Sequence, residues 1–313
     1  MLKSSINKIS PYLKNSLGIF LFIVCSIAIY KKVIMNDDWK SVQSVFQSQL
    51  ISISVFQWAI LLSFMFVNLY IEAIKWKKVV EKNNPLRIDK SLQSVFVGQA
   101  FAFFTPNRVG EYAGRTLFLS SGNKMIGLAQ MAWTSYAQLL VTLVLGSLAL
   151  FINLSAYTNY NENWLFWIKL LSPAIGIMAI VIFFYKRQWT GWLTFLNILQ
   201  IENLVKLQLL GLSFFRYCIF ISQYIFLAYL LHIPISILTL TLSLSILFLC
   251  LSILPTFSIT EWAVRGQLLI MILTPFYSNN LMIISFSSII WGINFLIPSM
   301  IGTILLLGYR LQK

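Results

Sequence analysis

Residues 105–115 read TPNRVGEYAGR: two arginines, a glutamate, a proline and two glycines set between two of the most apolar stretches of the chain. Charge at that density in an apolar setting demands a structural reason. A charged side chain at the centre of a membrane span costs at least ~2.5–3.5 kcal/mol, so an ionisable group inside such a segment is a functional candidate.

The setting is unambiguous. Of 313 residues, 58% are hydrophobic and only 10% charged, well beyond the apolar share of ordinary soluble domains. Apolar runs of a length that crosses about 30 Å of hydrocarbon recur from end to end. The sequence therefore predicts an all-α polytopic membrane protein forming a single transmembrane domain over residues 1–313. Full spans are expected at about 16–31, 49–73, 125–152, 164–185, 207–231 and 281–307. Lys3, Lys8 and Lys14 precede the first of these, and KK rather than a small-residue cleavage site follows it, so the first span is expected to be retained.

Two regions break the pattern. Residues 88–120 and 236–274 each hold an apolar run, a proline-containing polar break and a second apolar run. Each is expected to form a helical hairpin, re-entrant or barely spanning. Basic residues orient the whole: with the N-terminus cytoplasmic, 15 of the 23 lysines and arginines fall on cytoplasmic segments, as the positive-inside rule requires. Both termini are then cytoplasmic, and the localisation expected is the cell (inner) membrane. The net charge of +14 is spread over short loops beside apolar runs, so it reads as topology rather than as a nucleic-acid surface. WTGWLTFLNILQ (189–200) places Trp189, Trp192, Leu193, Leu196 and Leu199 on one stripe, as in an amphipathic helix at the cytoplasmic interface.

The second hairpin contains PTFSITEWAVR (255–265). Aligned on the acidic residue, EYAGR (Glu111–Arg115) matches EWAVR (Glu261–Arg265), with Pro106 five residues before one glutamate and Pro255 six before the other. Pro106, Gly110 and Pro255 mark the hairpin breaks. Under the charge-derived topology the first hairpin enters from the cytoplasm and the second from outside, so the repeat is inverted. In inverted-repeat transporters paired broken helices form a site near the midplane. Two motifs 150 residues apart are thus expected in one place.

Glutamate at i and arginine at i+4 share a helix face and neutralise one another, whereas Arg108 has no such partner. Arginine's planar fork suits phosphate, and helix N-termini following Pro106 and Pro255 are expected to add backbone donors. Arg108, Glu111, Arg115, Glu261 and Arg265 are the substrate-binding candidates, with Arg216, mid-span, as a further one. Gly110 and Gly114 admit close backbone approach or simple helix packing. The bland reading is that the Glu–Arg pairs only fasten the hairpins. Glu72 and Lys75 read as snorkelling at a span end, and Gln99, Gln138 and Asn294 as interhelical hydrogen-bond glue or site residues.

Neither catalytic residues nor a cofactor is indicated. Cys25, Cys218 and Cys250 sit in apolar runs without CxxC spacing, and the single histidine, His232, caps a span beside Pro234, so no metal site is expected.

IKWKKVV (74–80), GQAFAFFTPNRVGEYAGRTLFL (98–119) and LPTFSITEWAVRG (254–266) resemble the transmembrane region of lysylphosphatidylglycerol synthases, a flippase-like integral membrane family. The resemblance covers nearly the whole chain. It is carried most strongly by Pro106, Arg108, Gly110, Glu111 and Arg115. The second motif matches more loosely, with Ser258, Ile259 and Thr260 where the family has a glycine-rich approach. It implies the lipid-translocating part of that family without the soluble synthase domain. The expectation is a membrane transporter of a phosphate-bearing lipid or lipid-linked intermediate, with an anionic head group in contact with the arginines. The rivals are an accessory subunit that positions a lipid-modifying or glycosyl-transfer enzyme and, less favoured by nine acidic residues and no paired-Asp metal motif, a membrane enzyme acting on lipid phosphates.

Overall fold

The computed structural model describes residues 44, 47–48, 50–105, 108–120, 124–153, 173–174, 176–185, 201–254 and 258–311. The expected span at 16–31, the interfacial stripe at 189–199, Pro106 and Pro255 lie outside these residues, as does most of the first half of the expected span at 164–185. The described residues are helical, without strands. They comprise α1 (Val55–Val80), α2 (Ile88–Phe103), α3 (Gly110–Thr116), α4 (Lys124–Asn153), α5 (Asn203–Leu230), α6 (Ile237–Ile253), α7 (Ser258–Leu273), α8 (Asn280–Trp291) and α9 (Ile297–Leu311). Residues 176–184 are also helical.

Four helical segments are long and apolar enough to cross a membrane: Val55–Val80, Lys124–Asn153, Asn203–Leu230 and the run Asn280–Gly308 through α8 and α9. Only about a third of each is buried within the protein. The rest presents side chains such as Phe66, Phe214, Phe215 and Leu148 outward, a surface that fits hydrocarbon and would be a large sticky patch in water.

Helix starts follow from capping chemistry. Ser54 and Gln57 form a reciprocal capping box at the head of α1, with Ser54 N–H donating to Gln57 Oε1 at 2.8 Å and Gln57 N–H to Ser54 Oγ at 3.3 Å. Ser236 and Asn279 cap α6 and α8 by accepting from Thr239 and Met282 N–H groups. At the end of α5, His232 adopts a left-handed φ of 50°. Ile233 N–H reaches Ala228 O and His232 N–H reaches Tyr229 O, the two bonds of a Schellman stop. The single histidine is an exposed helix terminator.

The arrangement is set by α1 and α5. Lys78 Nζ donates to Gln208 at 3.1 Å, Arg216 Nε to Asn68 at 2.7 Å, and Gln223 Nε2 to Leu61 O at 2.9 Å. Residue numbers rise along one helix as they fall along the other, so the two are antiparallel. A short loop after each turns the chain into a hairpin: α2–α3 follows α1, and α6–α7 follows α5. The two hairpins therefore start from opposite ends of the bundle. The first returns to its own end, because Asn84 Oδ1, in the loop before α2, accepts from both Ser120 N–H at 3.2 Å and Ser120 Oγ at 2.7 Å. At 16 residues, α2 rises only about 24 Å.

The hairpins differ in their return arms. The helix after the first break, α3, ends after 7 residues at Thr116, whereas the one after the second, α7, runs for 16. A contiguous apolar core joins α1 (Leu61, Met65), α5 (Tyr224, Leu227), α6 (Leu244, Leu247), α7 (Leu269, Leu273) and α8 (Phe286, Ile290). Described residues of both hairpins line one cavity beside this core.

Candidate functional site

One cavity of about 800 Å³ takes walls from both hairpins: Arg108 and Glu111 from the first, Glu261 and Arg265 from the second, with Glu72 and Lys75 of α1, Arg216 of α5, and Asn294 and Phe295 between α8 and α9. The two glutamates that are 150 residues apart in sequence share this space. Arg115 lies beneath it, fully buried and off the wall.

Local geometry explains how each charge arrives. In the first hairpin the tip is held by Thr105, whose Oγ1 accepts from Gly110 N–H at 2.8 Å while its carbonyl accepts from Arg108 N–H at 3.3 Å. Arg108 itself holds a left-handed φ of 58°, a conformation that costs a non-glycine residue of order 1–3 kcal/mol and is found at functional sites. Gly110 is needed for packing: a Cβ there would lie 2.4 Å from Phe101 O. At Gly114 a Cβ would lie 2.8 Å from the Cα of Gly98, so α3 seats directly on α2. Arg115, the next residue, is fully buried, while Glu111 one turn earlier stays partly exposed on the cavity wall.

The expected backbone donors are spoken for at the first tip. Gly110, Glu111 and Tyr112 N–H groups already donate to Thr105 Oγ1, Arg108 O and Val109 O. The first hairpin can therefore offer guanidinium groups to an anion, not a helix N-terminus.

Both motif pairs form as the spacing requires: Arg115 binds Glu111 and Arg265 binds Glu261. Arg108 does have partners, contrary to the expectation from its sequence neighbours. Its Nε lies 3.6 Å from Glu111 Oε2, three residues on, and its Nη2 donates to Gln99 Oε1. Glu72 and Lys75 do not snorkel. Glu72 is buried at the junction of three cations, 3.2 Å from Lys75 Nζ, 3.0 Å from Arg115 Nη1 and 2.8 Å from Arg216 Nη1. Lys75 is fully buried and also reaches Gln138 Oε1 at 3.5 Å. Long Lys and Arg stems can reach water from a span end, but here α3 and α5 cover the position with their own arginines.

Arg216 does both things open to it, pairing Glu72 and lining the cavity. Gln223, one heptad on, is buried glue: it donates to Leu61 O and accepts from Asn294 Nδ2 at 2.8 Å.

Three contributors, Tyr224, Asn68 and Phe295, were not among the residues expected from the sequence. Arg265 Nη1 donates to Tyr224 Oη at 2.7 Å. Asn68 orients Arg216. Phe295 lies between the two motifs, its ring 4.9 Å from the Arg108 guanidinium and 5.4 Å from that of Arg265, both within cation–π range. Phe295 sits in a π-helical turn, Gly292–Leu296, where Ile297 N–H bonds to Gly292 O. The cause is legible: Pro298 has no N–H and its ring displaces the carbonyl four residues back, so the helix widens and turns Asn294 and Phe295 toward the cavity.

Five cations (Lys75, Arg108, Arg115, Arg216, Arg265) face three carboxylates (Glu72, Glu111, Glu261) in this cluster. That is a formal surplus of two positive charges. Nε of Arg265, on a residue only 3% exposed, has no hydrogen-bond acceptor among the described residues. A buried, unpaired charged donor is costly, and an anion on the cavity wall would relieve it. Part of the lining is apolar, from Leu139 of α4 and from Phe248, Leu251, Ile253 and Leu254 in and just after α6, with the hydroxyl residues Thr134, Ser135, Thr142 and Ser252 among them. Charged donors and apolar side chains in one cavity are the complement of an amphiphile with an anionic head. Among the described residues no cluster of metal-ligating side chains is found. No protein-family model matches the chain, and no curated protein is significantly similar to it.

Proposed function

We propose that this protein is a flippase-like membrane lipid transporter that holds a phosphate-bearing lipid or lipid-linked intermediate between two inverted hairpins. The observation that carries the reading is the shared cavity: two Glu–x–x–x–Arg motifs, from hairpins that start at opposite ends of the bundle, line one space with a surplus of positive charge and with apolar side chains. This is the arrangement in which inverted-repeat transporters hold substrate, with irregular backbone confined to the cavity. The reading includes an internal duplication, six full spans with both termini cytoplasmic, residence in the cell membrane, and kinship with the flippase-like transmembrane region that the motif 98–119 resembles.

Arg108, Arg216 and Arg265 contact the head-group phosphate, bidentately where the fork is free. Glu111 and Glu261 orient their arginines and compete with the phosphate, so that binding stays reversible. Arg115 acts through Glu72 and Glu111 as a positioning residue.

The test is leaflet redistribution of labelled anionic phospholipids and polyprenyl phosphates in proteoliposomes. Wild-type protein is expected to accelerate it, and the double variant Arg108→Ala/Arg265→Ala to lose about tenfold or more, since a charge-assisted hydrogen bond contributes about 1.5–3 kcal/mol. Redistribution no faster than in empty liposomes for every anionic lipid tried would reject transport. Full activity in the double variant would reject the assignment of the site.

A further inference from the structure

Beside the charged cluster the cavity has a second polar surface that carries no charge. Thr134, Ser135, Gln138 and Thr142 all line it, and steps of three and four residues set them on one face of α4. That face adjoins the charges. Gln138 Oε1 accepts from Lys75 Nζ at 3.5 Å, and Ser135 Oγ accepts at 3.1 Å from the hydroxyl of Tyr112, the residue after Glu111. From Ser135 to Thr142 the face extends roughly 10 Å along the helix axis.

Its hydrogen-bonding capacity is mixed. Thr134 and Thr142 donate their hydroxyl protons within their own helix, to Met131 O at 2.8 Å and Gln138 O at 3.1 Å, and Ser252 of α6, also on the wall, donates to Leu249 O at 2.7 Å. Acceptor lone pairs are what these three have left. Ser135 and Gln138 use their oxygens to accept, and their O–H and N–H donors have no acceptor among the described residues. A hydroxyl group donates and accepts at once, so a polyol can use both kinds of partner, whereas an ammonium group, a donor only, can use one. Charge argues the same way. No carboxylate stands on this face of α4, and the adjoining cluster has five cations to three carboxylates, which repels a cationic head group.

We infer that this face of α4 is a polyol subsite, which binds the hydroxyl groups of a glycerol or sugar carried on the substrate's phosphate. The inference rests on reading the cavity as a lipid head-group site and names the part of the head group beyond the phosphate. Arg108, Arg216 and Arg265 hold the phosphate; Ser135, Gln138 and Thr142 tell a hydroxylated head group from a bare one. A site built to hydrogen-bond hydroxyls rejects an analogue that lacks them, because its own polar groups are then left unpaired.

The experiment is isothermal titration calorimetry of detergent-solubilised full-length protein with three dioctanoyl phosphodiesters of equal charge. Phosphatidylglycerol carries a linear polyol, phosphatidylinositol a ring polyol, and phosphatidylpropanol is the first of these without its head-group hydroxyls. Wild-type protein should bind at least one polyol lipid about tenfold more tightly than phosphatidylpropanol, the contribution of one or two neutral hydrogen bonds, and the larger ratio tells glycerol from ring. Ser135→Ala/Thr142→Val should bring that ratio to within about twofold, and Thr142→Ser should retain it. Arg265→Ala should weaken all three lipids and leave the ratio standing. Equal wild-type affinities for the three lipids overturn the subsite and leave the phosphate reading intact. A ratio undiminished in the double variant, or lost as fully in Arg265→Ala, overturns its assignment to α4. The wild-type comparison decides even where a variant fails to fold. Binding of a bare polyprenyl phosphate but of none of the three overturns the subsite alone; binding of none of the four overturns the head-group reading with it.

Discussion

The two hairpins end in the same device built two ways. In each, Nη2 of the motif arginine binds the glutamate four residues before it, and Nη1 reaches across to the helix that precedes the hairpin. For Arg115 that helix is α1 and the group is the carboxylate of Glu72. For Arg265 it is α5 and the group is the phenol of Tyr224. The first arginine is thus held by two carboxylates and lies off the cavity wall, while the second has one carboxylate, a neutral acceptor and a place on the wall. Local spacing makes the pair; the long-range partner decides whether the arginine fastens the fold or faces the cavity. The bland reading, in which such pairs only hold hairpins together, describes Arg115 well and Arg265 poorly.

The largest effect that would break this contrast comes from the glutamates. Glu72→Gln leaves Lys75, Arg115 and Arg216 without their shared carboxylate, and removing one partner of a buried ion pair costs about 3–5 kcal/mol. Glu261→Gln exposes one cation to the same loss, and Tyr224 still accepts from it. Equilibrium unfolding in detergent should therefore rank Glu72→Gln as clearly the more destabilising. Equal losses would mean that the two hairpins are held alike.

A smaller effect separates their packing. Gly114 and Val264 occupy the same motif position, and both are buried. Gly114 touches Gly98 backbone to backbone, so Gly114→Val forces α3 away from α2 and should cost about 1–3 kcal/mol, the usual range for overpacking. It should also raise the exposure of Arg115, measurable as faster labelling of a cysteine introduced at position 116. An unchanged unfolding midpoint would show that the short return arm is free to shift, as the longer α7 is not.

Much of this was legible in the sequence because hydrocarbon leaves few options. Spans expected at 125–152 and 207–231 appear as helices Lys124–Asn153 and Asn203–Leu230. The span expected to stop at 73 continues to Val80, since the charge of Lys75 that seemed to end it is taken up by Glu72 inside the bundle. Glu111 and Glu261, expected in one place from the match between EYAGR and EWAVR, line one cavity. The hub at Glu72 was not legible: Arg115 reaches it because α3 folds back onto α2, and Arg216 because α5 packs antiparallel to α1, and no local pattern encodes either. Phe295 was within reach through Pro298, which sits inside an apolar run and predicts a distorted turn before it, although the direction in which that turn aims a ring depends on the neighbouring helices.

Phe295 provides the finest cut, because its ring lies under both the Arg108 and the Arg265 guanidinium groups. Phe295→Leu keeps most of the apolar volume and removes the ring quadrupole. Each cation–π contact contributes about 0.5–2 kcal/mol, but each arginine keeps its other partners: Gln99 and Glu111 for Arg108, Tyr224 and Glu261 for Arg265. The variant should therefore unfold within about 1 kcal/mol of wild type, yet bind an anionic lipid several-fold more weakly, because the two guanidinium groups are no longer aligned on one platform. If stability falls as far as with Glu72→Gln, Phe295 is a core anchor and the hairpin tips are one packed unit. If binding is unaffected, the two arginines act independently, and the contrast between a fastening hairpin and a ligand-facing one rests on charge alone.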